Sequence, residues 1–138
     1  MILYVRQLAW LQAVPESKNI AKGQERITRA KQMEDNPMPL PKVDGCNYLI
    51  DYLFEVGPVS TNGMGIGAVS FSEMDAWQSL CGHDLTPWEA ITLKSMSAAY
   101  VQEAHKAESP TAPPPWIEVP DEEKRERMAK HVRSVLRG

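Results

Sequence analysis

The chain has 138 residues, 43% hydrophobic and 24% charged, with a formal net charge of −3. That length fits one domain, or a smaller core with extended ends, and the apolar content suffices for a core. The mild acidity argues against a general nucleic-acid binder, which needs cations gathered on one face. No apolar run approaches the roughly 20 residues that cross a bilayer. The apolar N-terminus lacks a basic leader and a small-residue cleavage site, so the expectation is a soluble intracellular protein with no membrane partner. Cys46 and Cys81 could pair, but nothing else points to an oxidising compartment, and both read as buried thiols.

In chain order, residues 2–14 read as a helix with Ile2, Val5, Leu8, Ala9 and Leu11 or Gln12 on successive turns. Trp10 falls off that stripe, so the helix is either buried on several sides or docked on a partner. Pro15 ends it or begins the next element. Ser17 to Glu34 is polar and basic with a thin apolar line, which predicts a surface helix over 24–34. Asn36-Pro37-Met38-Pro39-Leu40-Pro41 is held extended by its prolines and reads as a spacer. Asp44 is placed to cap a helix over 45–56, with Cys46, Leu49, Ile50 and Leu53 as a core stripe. Gly57-Pro58 ends it, and the glycine-rich 60–67 stretch reads as a flexible loop.

The 70–107 region carries the strongest signals. Ser70 and Glu73 have capping-box spacing, Met74, Trp77, Leu80 and Cys81 form a stripe, and Gly82 suits a left-handed helix end. Thr86, Pro87 and Glu89 then open a second helix, which Trp88, Ile91, Met96, Ala99 and Tyr100 carry to about Ala107. Together they predict a helical hairpin. Ser109 to Pro120 reads as a proline-rich linker, extended or disordered, whose apolar residues are Trp116, Ile117 and Val119. From Asp121 to Arg137 acids precede bases, as the helix dipole favours, and Met128, Val132, Val135 and Leu136 form a narrow stripe. Such a helix is marginal alone and is expected to order on a partner.

The predicted fold is therefore all-α, a small helical domain built on a helical hairpin, with Pro-rich linkers and a C-terminal helix. The segments are an N-terminal helical arm (1–35), a helical core (36–107), a linker (108–120) and a terminal helix (121–138). No catalytic, cofactor or metal site emerges. Gly63, Gly65 and Gly67 follow a helix and lack the Lys-Ser/Thr of a phosphate loop. Cys81 and His83 have no second ligand pair at zinc spacing, and Cys81 on an apolar stripe is not placed as a nucleophile. Glu73 and Glu89 are explained as caps rather than as an acid and base. The second helix opens with Pro87-Trp88-Glu89-Ala90-Ile91, apolar and acidic where a DNA reader is polar and basic.

Phe71-Ser72-Glu73-Met74-Asp75-Ala76-Trp77, then Leu80-Cys81-Gly82-His83-Asp84-Leu85-Thr86-Pro87-Trp88-Glu89, then Met96-Ser97-Ala98-Ala99-Tyr100 resemble the tail assembly chaperones of long-tailed bacteriophages and prophages. The Tyr-rich stretch 48–54 before Gly57-Pro58 is similar too, and the likeness spans residues 45–104. It implies a non-enzymatic helical protein of the host cytoplasm that binds the tape measure protein and helps recruit tail tube subunits. An upstream chaperone or a second copy of the chain is a further possible partner, and a structural tail or connector component of the virion is the alternative. The candidate protein-binding residues are Trp77, Trp88, Met96, Tyr100 and Trp116; Trp77, Trp88 and Tyr100 could equally be hairpin core.

Overall fold

A computed structural model of the protein describes residues 1–16, 25–118 and 122–138. Among them the chain is mostly helical with one two-stranded ribbon: α1 (Ile2–Gln12), α2 (Arg29–Gln32), α3 (Tyr48–Val56), β1 (Ser60–Asn62), β2 (Gly65–Gly67), α4 (Phe71–Cys81), α5 (Pro87–Ala107) and α6 (Glu122–Arg137).

Both capping boxes form. Ser70 Oγ accepts from Glu73 N while the Glu73 carboxylate accepts from Ser70 N, and Thr86 and Glu89 repeat the pattern with Pro87 at the first helical position. Each satisfies backbone donors that a helix start otherwise leaves orphaned. Gly82 closes α4 at φ +72°, where a side chain would be strained.

Helix α5, 21 residues and about 30 Å long, is the hub. Its buried stripe is Leu93, Met96, Ser97, Tyr100, Glu103 and Ala107, spaced three or four apart. One core joins Leu93, Met96 and Tyr100 to Val5 and Ala9 of α1, Leu49, Ile50 and Leu53 of α3, and Val69 and Met74. Leu49, Leu53, Leu93 and Met96 are wholly enclosed, each contributing about 2 kcal/mol by removal from water. The hairpin exists, with α4 beside the first half of α5, but the most extensive pairing is α1 with α5. The first helix, expected in an arm, is thus part of the core.

Polar groups lock these contacts. Buried Ser97 Oγ donates to Pro58 O at 2.7 Å and accepts from Val69 N at 2.8 Å, tying the end of α3 and the entry to α4 onto α5. Arg6 pairs with buried Glu103 at 2.9 Å. Arg29 is 4% exposed; its Nη1 donates to Ala107 O (2.6 Å) and Trp10 O (3.3 Å), and its Nη2 to Ser109 O (2.8 Å). It also lies 4.7 Å over the Trp10 ring. The C-terminal ends of α1 and α5 therefore share one cation, which burial pushes below its usual pKa. Trp10 is buried beneath it and donates from Nε1 to Ala112 O at 2.9 Å, so its position off the α1 stripe reflects burial on a second side.

Several expectations are corrected. The 60–67 stretch is an antiparallel ribbon, Ser60 opposite Gly67 and Asn62 opposite Gly65, so the fold is not purely α-helical. Asn62 Oδ1 accepts from Met64 N at 3.1 Å, the local bond that makes Asn a turn residue. Helix α3 begins at Tyr48: Gly45 (φ +74°) and Cys46 (φ +53°) are left-handed, so Asp44 lies too early to cap it. The helix expected over 24–34 is the single turn α2, capped by Thr28, and position 24 lies outside the described residues. The linker packs back on α1, where Trp116 N donates to buried Gln7 Oε1 at 3.2 Å; Val119 and Pro120 lie outside the described residues. Leu80 and Cys81, expected in the core, are exposed, and the two cysteines are free thiols.

Candidate protein-binding surface

The turn joining α4 to α5 is held from several sides. Gly82 N and His83 N both donate to Gln78 O, and the Gln78 side chain accepts from Leu85 N at 3.0 Å. The His83 ring sits 4.5 Å from Tyr52 and 4.8 Å from Trp77, with Nε2 3.6 Å from a Glu55 carboxylate oxygen. Tyr48 OH donates to Glu89 Oε1 at 2.7 Å, bridging α3 to the first turn of α5. That bond pushes the Tyr48 phenol up to about 12. Glu89 falls below the usual carboxylate range, first through the Thr86 backbone bond and then through Tyr48. Glu73 is lowered likewise, chiefly by its bond from Ser70 N.

On this braced end three large apolar side chains face water: Leu80, 87% exposed, Trp88, 55%, and Ile91, 60%. Trp88 and Ile91 are one turn apart on α5, away from the Leu93–Met96–Tyr100 stripe, so they share an outer face. Leu80, in the last turn of α4, flanks the same connection. Charge around them is one-sided. Asp84 in the turn and Glu89 in the first turn of α5 are acidic, and the one cation between residues 70 and 95 is Lys94. Lys94 Nζ is engaged by Val69 O at 2.9 Å and lies 5.4 Å over Phe71. The result is an apolar patch with an acidic rim.

The five expected binding residues separate. Trp77 is buried against Tyr52 and His83, its Nε1 without a hydrogen-bond partner among the described residues. Met96 is wholly enclosed, and Tyr100 is buried edge-on to Phe54, its OH on Gln12, with burial raising its pKa. These three serve packing. Trp116 is half-buried, with its backbone N on Gln7 of α1, and Trp88 is left as the large free surface. Sequence reasoning missed Leu80 and Ile91 as surface residues because it read both into core stripes. The α5 stripe passes through Ser97 and Glu103, and tracing it through those polar positions puts Trp88 and Ile91 outside.

At the far end, an open cleft of about 590 Å³ lies between the 32–39 segment and Ile117–Glu118, with Met33 and Met38 beside Asp35 and Glu118. Among the described residues no group of three or more His, Cys, Asp or Glu is placed to hold a metal ion, and no helix is long and apolar enough to cross a membrane. What the hairpin end offers chemically is apolar area to cover and anions to pair. Comparison of the chain with protein-family models, with curated proteins and with solved structures gives no match.

Proposed function

We propose that this chain is a non-enzymatic protein-binding module whose working surface is the Leu80–Trp88–Ile91 patch, and that it serves as a phage tail assembly chaperone in the host cytoplasm. The patch carries the reading. Three large apolar residues kept in water on a braced turn are costly unless something covers them, and a tryptophan beside an aliphatic residue is a common binding anchor. The resemblance over residues 45–104 supplies the client, a tape measure protein with long apolar helices, and tail tube subunits as the second partner.

Co-expression with a candidate tape measure protein tests this. The expected result is a soluble complex that copurifies, and its loss in Trp88→Ser/Ile91→Ser with the chain still folded. A client equally soluble without the chain, or a complex indifferent to Trp88 and Ile91, overturns it. Stoichiometric presence of the chain in purified virions would instead favour a structural tail component.

A further inference from the structure

We propose that the patch at the hairpin turn docks the C-terminal helix of a second copy of this chain. The inference rests on reading Leu80, Trp88 and Ile91 as a protein-binding surface, and it names an occupant.

Helix α6 is complementary to that surface in both polarity and sign. Met128, Val132, Val135 and Leu136 recur at i, i+4, i+7 and i+8, and all four are exposed. They form a stripe of the kind that lies in an apolar groove. After Glu126 every charged residue of the helix is basic: Arg127, Lys130, Arg133 and Arg137, with His131 among them. The anions at this end are Asp84 of the turn and Glu89 of the first turn of α5, and Lys94 is already engaged by Val69 O. Apolar stripe meets apolar patch while cations meet anions, which fixes orientation as well as contact. The stripe is narrow and has no aromatic residue, which suits a protein groove better than a lipid surface.

The structure favours a second copy over the chain's own helix. In the single chain Leu80, Trp88 and Ile91 stay exposed, and so do Met128, Val132, Val135 and Leu136, so α6 does not cover the patch of its own chain. A neighbouring copy can supply it.

Sedimentation velocity of the full chain across the micromolar range tests the proposal, with Val132→Asp, Asp84→Arg, Arg133→Glu and the double variant Asp84→Arg/Arg133→Glu. Position 132 is exposed, so Val132→Asp leaves the core intact, which circular dichroism checks. The expected result is concentration-dependent self-association that Val132→Asp weakens about tenfold or more. Each single charge reversal should weaken it several-fold, and the double variant should recover. Three results overturn it: a monomer at every concentration, association indifferent to Val132→Asp, or a monomer whose Trp88 emission shifts on Val132→Asp, meaning that the chain's own helix docks. If the chain is monomeric while client binding still needs Trp88, this inference alone falls. If client binding also ignores Trp88, the proposed function falls with it.

Discussion

Replacing Arg29 by Met would remove one cation and leave the side-chain volume nearly unchanged. In the native chain the guanidinium satisfies the carbonyls of Trp10, Ala107 and Ser109, all near helix ends where intrahelical partners run out. The bonds to Trp10 and Ala107 are buried, so in Arg29→Met both carbonyls lose a partner that water cannot readily replace, at about 1–3 kcal/mol each. Ser109 is exposed and can turn to solvent. The cation over Trp10 adds about 0.5–1 kcal/mol. Relief of the buried charge offsets part of the sum, and the net expectation is about 3 kcal/mol of destabilisation. For a chain of this size that is a fall of about 10 °C in Tm.

Arg29→Lys keeps the charge but not the planar fork, so it should reach one or two of the three carbonyls and cost about 1–1.5 kcal/mol. Urea denaturation with unchanged m-values measures both variants. The reasoning is refuted if Arg29→Met lies within about 0.5 kcal/mol of wild type, or if Lys is worse than Met. The second outcome would assign the role of Arg29 to stem packing rather than to the carbonyls.

Ser97→Ala strips both bonds that bind Pro58 O and Val69 N to α5, and should cost about 1–3 kcal/mol by chemical denaturation. Glu73 and Glu89 are held below their ordinary 4.5, so the stability they contribute is complete above that pH and is lost as pH falls through their folded-state values. Glu73→Gln/Glu89→Gln should flatten the acid limb of a midpoint-versus-pH curve; an unchanged limb would discount the caps. Tyr48 is raised from 10.0 to about 12, so its contribution is complete below 10 and disappears as pH climbs toward 12. Ultraviolet titration should show one fewer late-ionising tyrosine in Glu89→Gln than in wild type, with buried Tyr100 late in both.

The parts of the fold legible in the sequence are those set by local chemistry. Ser70 with Glu73, and Thr86-Pro87 with Glu89, fix two helix starts whatever surrounds them, and Gly82 fixes an end. Long-range partners are not encoded locally. That α1 packs on α5 depends on Arg6 finding Glu103 and on Arg29 finding Ala107, pairs separated by 97 and 78 residues. The glycines at 63 and 65 looked like flexibility because a ribbon only three residues long has too few positions to show alternation. The candidate surface was half visible: Trp88 was singled out, whereas Leu80 and Ile91 were hidden by stripes that take apolar residues as inside and Ser97 and Glu103 as outside.

The same buried polar groups explain how a small helical body can keep an apolar patch in water. Arg29 ties the C-terminal ends of α1 and α5, Glu103 of α5 holds Arg6 of α1, and Ser97 holds the middle of α5, whereas Trp88 stands at the start of a helix about 30 Å long. Sites so far apart with no shared partner contribute almost additively to stability. Trp88→Ser/Ile91→Ser should therefore change stability by no more than about 0.5 kcal/mol and combine additively with Ser97→Ala. A large cost, or a coupling above about 0.5 kcal/mol in the triple variant, would mean that the patch belongs to the fold's packing and is not free for a partner.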